Sequence, residues 1–196
     1  MLVLAGCSSK PSASSTVGPS PPTAPAVSPT SPPVTDSAPT STAAILVTGM
    51  LPVFEAALAP GWSDYGWSKR TVGPGPAVVD MGDFGGWAIG WPNGADDLTT
   101  RASLVGLQFS YSAAADVVRE LLVVQLGDAA ATAFPEIRVT ITEPGADGLR
   151  VQRVMFDQLN PLRHPFDRII IKAGRKVPVG NNVTVDHIRL LTTSSS

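Results

Sequence analysis

The sequence predicts an all-β domain, a jelly-roll β-sandwich, preceded by a disordered tether rich in proline, serine and threonine. Two observations lead to this fold class. Short alternating or wholly apolar runs recur from about residue 45 onward, separated by glycine, proline, asparagine and aspartate. No repeating helical pattern lies between them, which favours a sandwich over a layered α/β architecture.

The apolar runs define the predicted strands. In order they are Ile45 to Val47, Pro52 to Phe54, Ala77 to Val79, Trp87 to Trp91, Leu104 to Tyr111, Leu121 to Leu126, Ile137 to Ile141, Leu149 to Phe156, Arg168 to Lys172 and Val183 to Leu190. One run is ambiguous, because Val117, Leu121 and Val124 share helical spacing. We favour a brief helical turn within Ala113 to Leu122 that leads into a strand, since the end of this run is dense in β-branched residues.

Residues 8–42 are predicted to be a disordered linker. Their composition is almost entirely serine, proline, threonine, alanine and valine, and Lys10 and Asp36 are their only charges. Such a segment buries too little apolar surface to offset the entropy of ordering its backbone. Proline favours extended polyproline II, in which the linker reaches on the order of 100 Å at most. These residues are therefore expected to act as a spacer.

Residues 1–7 end in Leu4-Ala5-Gly6-Cys7, which resembles the lipobox of bacterial lipoproteins. The resemblance implies that Cys7 is lipidated and that the protein is anchored at the extracytoplasmic face of the cell membrane. The charged start and the roughly 7–15 apolar residues of a secretory signal do not precede Gly6, so we expect the sequence to begin inside the signal. The alternative is a free cysteine near the terminus of a cytosolic protein.

Residues 43–196 are predicted to form the β-sandwich domain. A domain of this length buries roughly 68–70% of its unfolded surface and can fold without covalent links. Cys7 is the only cysteine, so it has no partner for an intramolecular disulfide. The net charge is −2 and no basic run is present, which argues against nucleic-acid binding. No apolar stretch approaches the ~20 residues of a membrane-spanning helix, so the expected membrane contact is through the lipid alone.

Two segments resemble carbohydrate-binding jelly rolls of the galactose-binding-like fold. Residues 52–68, PVFEAALAPGWSDYGWS, are similar to their opening strand, acidic turn and Gly-Trp. Residues 183–190, VTVDHIRL, are similar to their closing strand. The resemblance implies a glycan as the partner. Similar domains often hold a structural calcium between an acid near the first strand and one in the last, and the matching positions here are Glu55 and Asp186.

Aromatic residues supply the candidate ligand site, since all four tryptophans lie between residues 62 and 91. A flat ring can stack on the apolar face of a pyranose, and its polar end can hydrogen-bond at the wet rim. The predicted ligand-binding residues are Asp64, Tyr65, Trp67, Trp87 and Trp91. We expect Trp62 to be buried and Trp67 to be exposed. Trp87 and Trp91 share a strand face with Ile89, so they are candidates for the core as much as for the site. Asn93, Asp96 and Asp97 are further candidates for contacting sugar hydroxyls.

Asp186 is predicted to point inward, because strict alternation puts it on the side of Ile188 and Leu190. A buried carboxylate needs a cation, hydrogen-bond donors or a metal. The two explanations left open are calcium, which takes six to eight oxygen ligands, and an ion pair with Arg168 or Arg189.

Catalysis is not expected. The histidines, His164 and His187, are read as surface residues, and no serine lies in a Gly-x-Ser-x-Gly elbow. Asp96-Asp97, Asp80 and Asp83 could supply paired carboxylates for glycosidic cleavage, but glycines near Asp83 and Asp96 favour turns at those positions. The sequence therefore predicts a non-catalytic carbohydrate-binding surface lipoprotein that engages a cell-wall or environmental glycan. The alternative is a protein-interaction or structural envelope lipoprotein on the same fold without sugar binding.

Overall fold

The computed structural model describes residues 47–92, 94, 103–114 and 122–193. All of them lie within the predicted sandwich domain. The anchor, the linker, Ile45, the helical turn predicted before Leu122, and the candidates Asn93, Asp96 and Asp97 lie outside the described residues, so those expectations stay predictions.

Apart from one helical turn, the secondary-structure elements of the described residues are all β-strands, and the longer ones follow the order that the sequence predicts. The strands are β1 (Gly49–Phe54), β2 (Ser63–Asp64), β3 (Arg70–Thr71), β4 (Ala77–Asp80), β5 (Gly86–Gly90), β6 (Leu104–Ser112), β7 (Leu122–Gly127), β8 (Ile137–Arg138), β9 (Arg150–Met155), β10 (Arg168–Ala173) and β11 (Asn182–Thr192). A one-turn helix, α1 (Phe156–Leu159), follows β9. Among the described residues, no helix has the length and apolar content needed to cross a membrane.

The strands form two antiparallel sheets that pack face to face, which confirms the predicted jelly-roll sandwich. The β11 sheet has the order β3-β4-β11-β6-β9, with β1 also paired to β11. The β10 sheet has the order β2-β5-β10-β7-β8. In β10 the inward side chains are Ile169, Ile171 and Ala173, and the outward ones alternate with them. This period of two is what a strand with one buried face requires.

Strand β11 organises its sheet because two strands share one of its edges. Residues Asn182–Val185 pair with β4, and residues from Ile188 to Thr192 pair with β1. Strand β6 occupies the opposite edge. The division falls at Asp186 and His187, where the register with β6 shifts and His187 has a φ of 49°.

The core between the sheets is rich in aromatic rings. Phe54 meets Trp87 edge to face with centroids 5.1 Å apart, and Phe156 meets Phe166 at 5.3 Å. Tyr111 is fully buried and its hydroxyl donates to Thr140 O at 2.7 Å. Burial raises the pKa of the Tyr111 phenol above its usual 10.0, because the charged form loses its hydration.

Two of the predicted strands that end earlier than expected do so for a local reason that the structure shows. Strand β8 stops at Arg138 instead of reaching Ile141, because the amide and hydroxyl of Thr140 both donate to the Gln152 side chain at 3.0 and 2.9 Å. Strand β9 stops at Met155, where Phe156 turns into α1. Phe156 and Leu159 are both buried, so α1 closes one end of the core.

Candidate functional site

Two exposed aromatic rings lie one after the other along the edge of the β10 sheet. The chain continues past β2 beside β5, where Tyr65 N donates to Ala88 O at 2.8 Å and Trp67 N donates to Gly86 O at 3.3 Å. Residues two apart in an extended chain point to the same face. Tyr65 is 51% exposed and Trp67 is 54% exposed. We call this pair of rings the aromatic platform.

The platform rests on glycines of β5. A Cβ on Gly90 would lie 2.6 Å from Cδ2 and Cε2 of Tyr65. A Cβ on Gly86 would lie 2.5 Å from Cζ2 of Trp67. Distances this short leave no room for a side chain, so the two rings can lie against the sheet only because both positions are glycine. On the same strand Trp87 and Ile89 face the core, which places the platform on the outer face of the sheet.

Two cations of β10 flank the platform. Arg168 pairs with Gly90 in the register, and its guanidinium carbon lies 5.8 Å from the centroid of the Tyr65 ring. Lys172 pairs with Gly86, beside Trp67. Arg168 also contacts Asp167 at 3.3 Å, and Lys172 contacts Glu136 at 2.6 Å. Each ring therefore has a hydrogen-bond donor next to it on the neighbouring strand.

Beyond Arg168, Asp128 adds a fixed negative charge at the end of β7. Its carboxylate accepts hydrogen bonds from Thr132 N at 2.8 Å and Thr132 Oγ1 at 2.6 Å. These bonds, with a smaller contribution from Arg168, hold the pKa of Asp128 below its usual value. The outer face thus mixes rings, cations and carboxylates, which suits a polar ligand that also has an apolar face.

Asp64, predicted to contact a ligand, is used by the protein itself. Its Oδ1 accepts hydrogen bonds from Gly66 N at 2.9 Å, from Arg70 Nε at 2.9 Å and from Trp87 Nε1 at 3.1 Å. Its Oδ2 pairs with Arg70 at 2.8 Å. These bonds fix the chain between Tyr65 and Trp67, so Asp64 positions the platform.

Trp87 and Trp91 do not present rings to solvent, which corrects their assignment as stacking residues. Trp87 is 1% exposed and packs on Phe54. Trp91 is 9% exposed and lies 5.3 Å from Trp62, which is buried as expected. The sequence leaves open whether these two side chains belong to the core or to the site. Their burial decides it, and both belong to the core. Trp67 is exposed as predicted, and its neighbour in the site is Tyr65.

The acids proposed for calcium have partners within the protein. Glu55 forms an ion pair with Arg189. Asp186 Oδ1 accepts hydrogen bonds from Ala56 N at 3.1 Å and His187 N at 2.8 Å, and its Oδ2 lies 3.7 Å from His187 Nδ1. Within the described ranges, no group of three or more His, Cys, Asp or Glu side chains is gathered as a metal would require. Calcium binding at these residues stays a prediction.

The structure also corrects the direction of Asp186. It is buried as predicted, but the register places it opposite Ser110, whose other neighbour is the exposed Val151. The face of Ile188 and Leu190 is the opposite one, because the bulge at His187 adds a residue and breaks the alternation. Asp186 is covered by the turn after β1, and its carboxylate accepts a hydrogen bond from Ala56 N in that turn. Of the two histidines, His164 is exposed and His187 is partly exposed, as expected.

One feature of the site was missed from sequence. The turn that precedes β5 contains Asp83 and Phe84, and both have positive φ, 54° and 61°. Trp67 Nε1 donates to Phe84 O at 2.9 Å, which ties this turn to the platform. The Gly82-Asp83 pair indicates a turn, but nothing in the pattern indicates that a phenylalanine takes the left-handed position.

Known structures share this fold. CBM29-2, a family 29 carbohydrate-binding module solved as a variant in complex with cellulohexaose, is 18% identical, with a TM-score of 0.50 over 74% of this chain and 92% of that chain. CBM29_1 from Piromyces equi is 16% identical, with a TM-score of 0.49 over 74% and 91%. The family 11 module of the cellulase Lic26A-Cel5E of Clostridium thermocellum is 11% identical, with a TM-score of 0.46 over 77% and 99%.

The fold is the jelly roll of carbohydrate-binding modules. At these identities the likeness concerns the fold alone. No family model matches the sequence, and no curated protein matches it.

Proposed function

We propose that this domain binds a glycan without catalysing a reaction, and that the aromatic platform is its binding surface. The observation that carries the proposal is the pair of half-exposed rings, Tyr65 and Trp67, held against glycines of β5. The exposed half of each ring buries no apolar surface in the folded domain. A sugar ring placed on it would bury apolar surface on both partners.

The spacing of the platform favours an oligosaccharide. Tyr65 rests on Gly90 and Trp67 on Gly86, four residues apart on β5. At about 3.3 Å per residue the two resting points are about 13 Å apart. One pyranose cannot contact both rings, so the expected ligand is a chain whose separate sugars stack on each ring.

The chemistry beside the rings favours sugar over protein as the ligand. Arg168 and Lys172 supply donors on one side, and Gln125 is partly exposed between them on the next strand. A protein-docking surface is expected to be a larger continuous apolar patch. The carbohydrate-binding modules that share the fold support the same choice, and one of them is solved with cellulohexaose.

The test is a glycan array with residues 43–196, followed by titration of each hit with native protein and Trp67→Ala. The lost ring is expected to weaken binding about fivefold, because an aromatic contact of this kind contributes roughly 1 kcal/mol beyond its buried area. Circular dichroism should show an unchanged fold, since Trp67 lies outside the core. A folded Trp67→Ala that binds as well as the native domain contradicts the platform as the site.

We further propose that the domain is displayed from a membrane through a lipid on Cys7. The support is the run Leu4 to Cys7 followed by an almost uncharged linker. The full chain, expressed behind a complete secretion signal, is expected in the membrane fraction with the mass of a lipid added. Cys7→Ser is expected in the soluble fraction. A native protein without the added mass, or a Cys7→Ser variant that stays with the membrane, would refute the anchor.

A further inference from the structure

We propose that Phe84 is a third ligand-contacting ring, which extends the aromatic platform beyond Trp67 and makes the site prefer longer oligosaccharides. This inference rests on the proposed function. It begins from the backbone of the turn before β5, where Asp83 has a φ of 54° and Phe84 a φ of 61°. Glycine takes this conformation without penalty and asparagine tolerates it, whereas a bulky side chain is strained there.

The turn is held from several directions, which explains how the strain persists. Three of its backbone amides donate hydrogen bonds: Gly82 N to the carboxylate Oδ1 of Asp80 at 2.8 Å, Asp83 N to Val177 O at 2.8 Å and Gly85 N to Met81 O at 3.1 Å. Lys176 pairs with the Asp83 carboxylate at 2.9 Å. None of these contacts involves the Phe84 ring, and glycine at this position would keep all of them.

The Phe84 ring contributes little packing to the folded domain. It is 53% exposed, and among the described residues no other aromatic ring packs against it. Residues in a strained backbone conformation, kept there by rigid surroundings, are concentrated at sites that bind ligands. A bulky apolar side chain at a strained and exposed position is therefore best explained by contact with something outside the protein.

Its position identifies that contact. The Phe84 carbonyl accepts the hydrogen bond from Trp67 Nε1, so the two residues are direct neighbours. Beside Trp67, an open recess of about 240 Å³ is bordered by Gly82, Asp83 and Gly85 of this turn, which flank Phe84, and by Ser68, Lys69 and Val179. A glycan chain that lies over Tyr65 and Trp67 and continues past Trp67 reaches this turn next. Lys69 can donate to its hydroxyls there.

The experiment compares Phe84→Gly and Phe84→Asn with the native domain, residues 43–196. Both replacements accept the left-handed backbone, so the ring is removed without adding strain. We expect the Tm to stay equal or rise. Affinity for cellohexaose should fall about fivefold, while affinity for cellotriose should stay unchanged. Xylo- and manno-oligosaccharides of matched lengths are titrated in parallel, and Leu162→Ala serves as the exposed apolar control, at 74% exposure.

The outcomes separate this inference from the proposed function. If the native domain prefers longer chains and Phe84→Gly binds them equally well, the third ring is refuted and the platform stands. A clear loss of Tm in Phe84→Gly would also refute it, by giving the ring a structural role. If the native domain binds none of the three series, the inference is refuted, while a hit elsewhere on the glycan array would keep the proposed function.

Discussion

Replacing Trp87 with alanine is expected to lower the free energy of unfolding by about 3–5 kcal/mol, the usual result of truncating a buried aromatic side chain. Trp87 is 1% exposed, meets Phe54 edge to face at 5.1 Å and donates its indole N–H to Asp64. The cavity left behind would lie between the sheets, directly under the strand that carries Gly86 and Gly90. Urea denaturation followed by circular dichroism gives the measurement.

Trp87→Phe is the matched variant for this prediction. It keeps most of the ring volume and loses the hydrogen bond to Asp64, which retains Gly66 and Arg70 as donors. Its cost is expected to be clearly smaller than that of the alanine variant. If the free energy of unfolding of Trp87→Ala is within about 1 kcal/mol of that of the native domain, the Trp87 side chain does not occupy a well-packed core.

Replacing Gly90 with alanine is expected to weaken glycan binding about tenfold while the sandwich stays folded. The new Cβ would lie 2.6 Å from the Tyr65 ring, so the ring must move off the sheet. Tyr65 would then lose its contact with the ligand, and Arg168 would lose the ring it lies over. Titration of the variant with the oligosaccharide that binds the native domain measures the effect.

Gly127→Ala is the control for Gly90→Ala. Both glycines pair with Arg168, one on each side of it, and both lie on the outer face of the β10 sheet. A Cβ on Gly127 would meet only aliphatic atoms of Ile170 and Arg168, at 3.0 and 3.6 Å, and no aromatic ring. Binding by this variant should be close to native. Equal losses in both variants would show that the strand backbone, and not the Tyr65 ring, decides affinity.

The fold could be predicted from sequence because its longer strands carry their own pattern. Strand β10 alternates buried and partly exposed residues through its whole length, and β4, β6 and β7 fall within a residue or two of the predicted runs. The two-residue strands β2 and β3 were missed, because so short a pairing depends on the neighbouring strand and has no period of its own.

The site was only partly predictable, since burial and bulges depend on the whole fold. The exposure of Trp67 followed from its polar and glycine neighbours, whereas the burial of Trp87 was decided by the packing of Phe54 against it. The direction of Asp186 was predicted wrongly, because a bulge at a histidine leaves no mark in an alternating pattern. Phe84 was also missed, because the backbone conformation of its turn depends on a hydrogen bond to a distant segment, from Asp83 N to Val177 O.

The glycines beneath the two rings also make the site recognisable in distant homologues. The proposed site corresponds to two sequence patterns, aromatic-x-aromatic at 65–67 and glycine-x-x-x-glycine at 86–90. A homologue with larger residues at both glycine positions would keep the sandwich but have no room for the rings against the sheet. A homologue that keeps both glycines has room for a ring at each, whichever aromatic residues it uses. These two small positions, more than overall identity, should separate lineages that retained the proposed binding surface from those that kept only the scaffold.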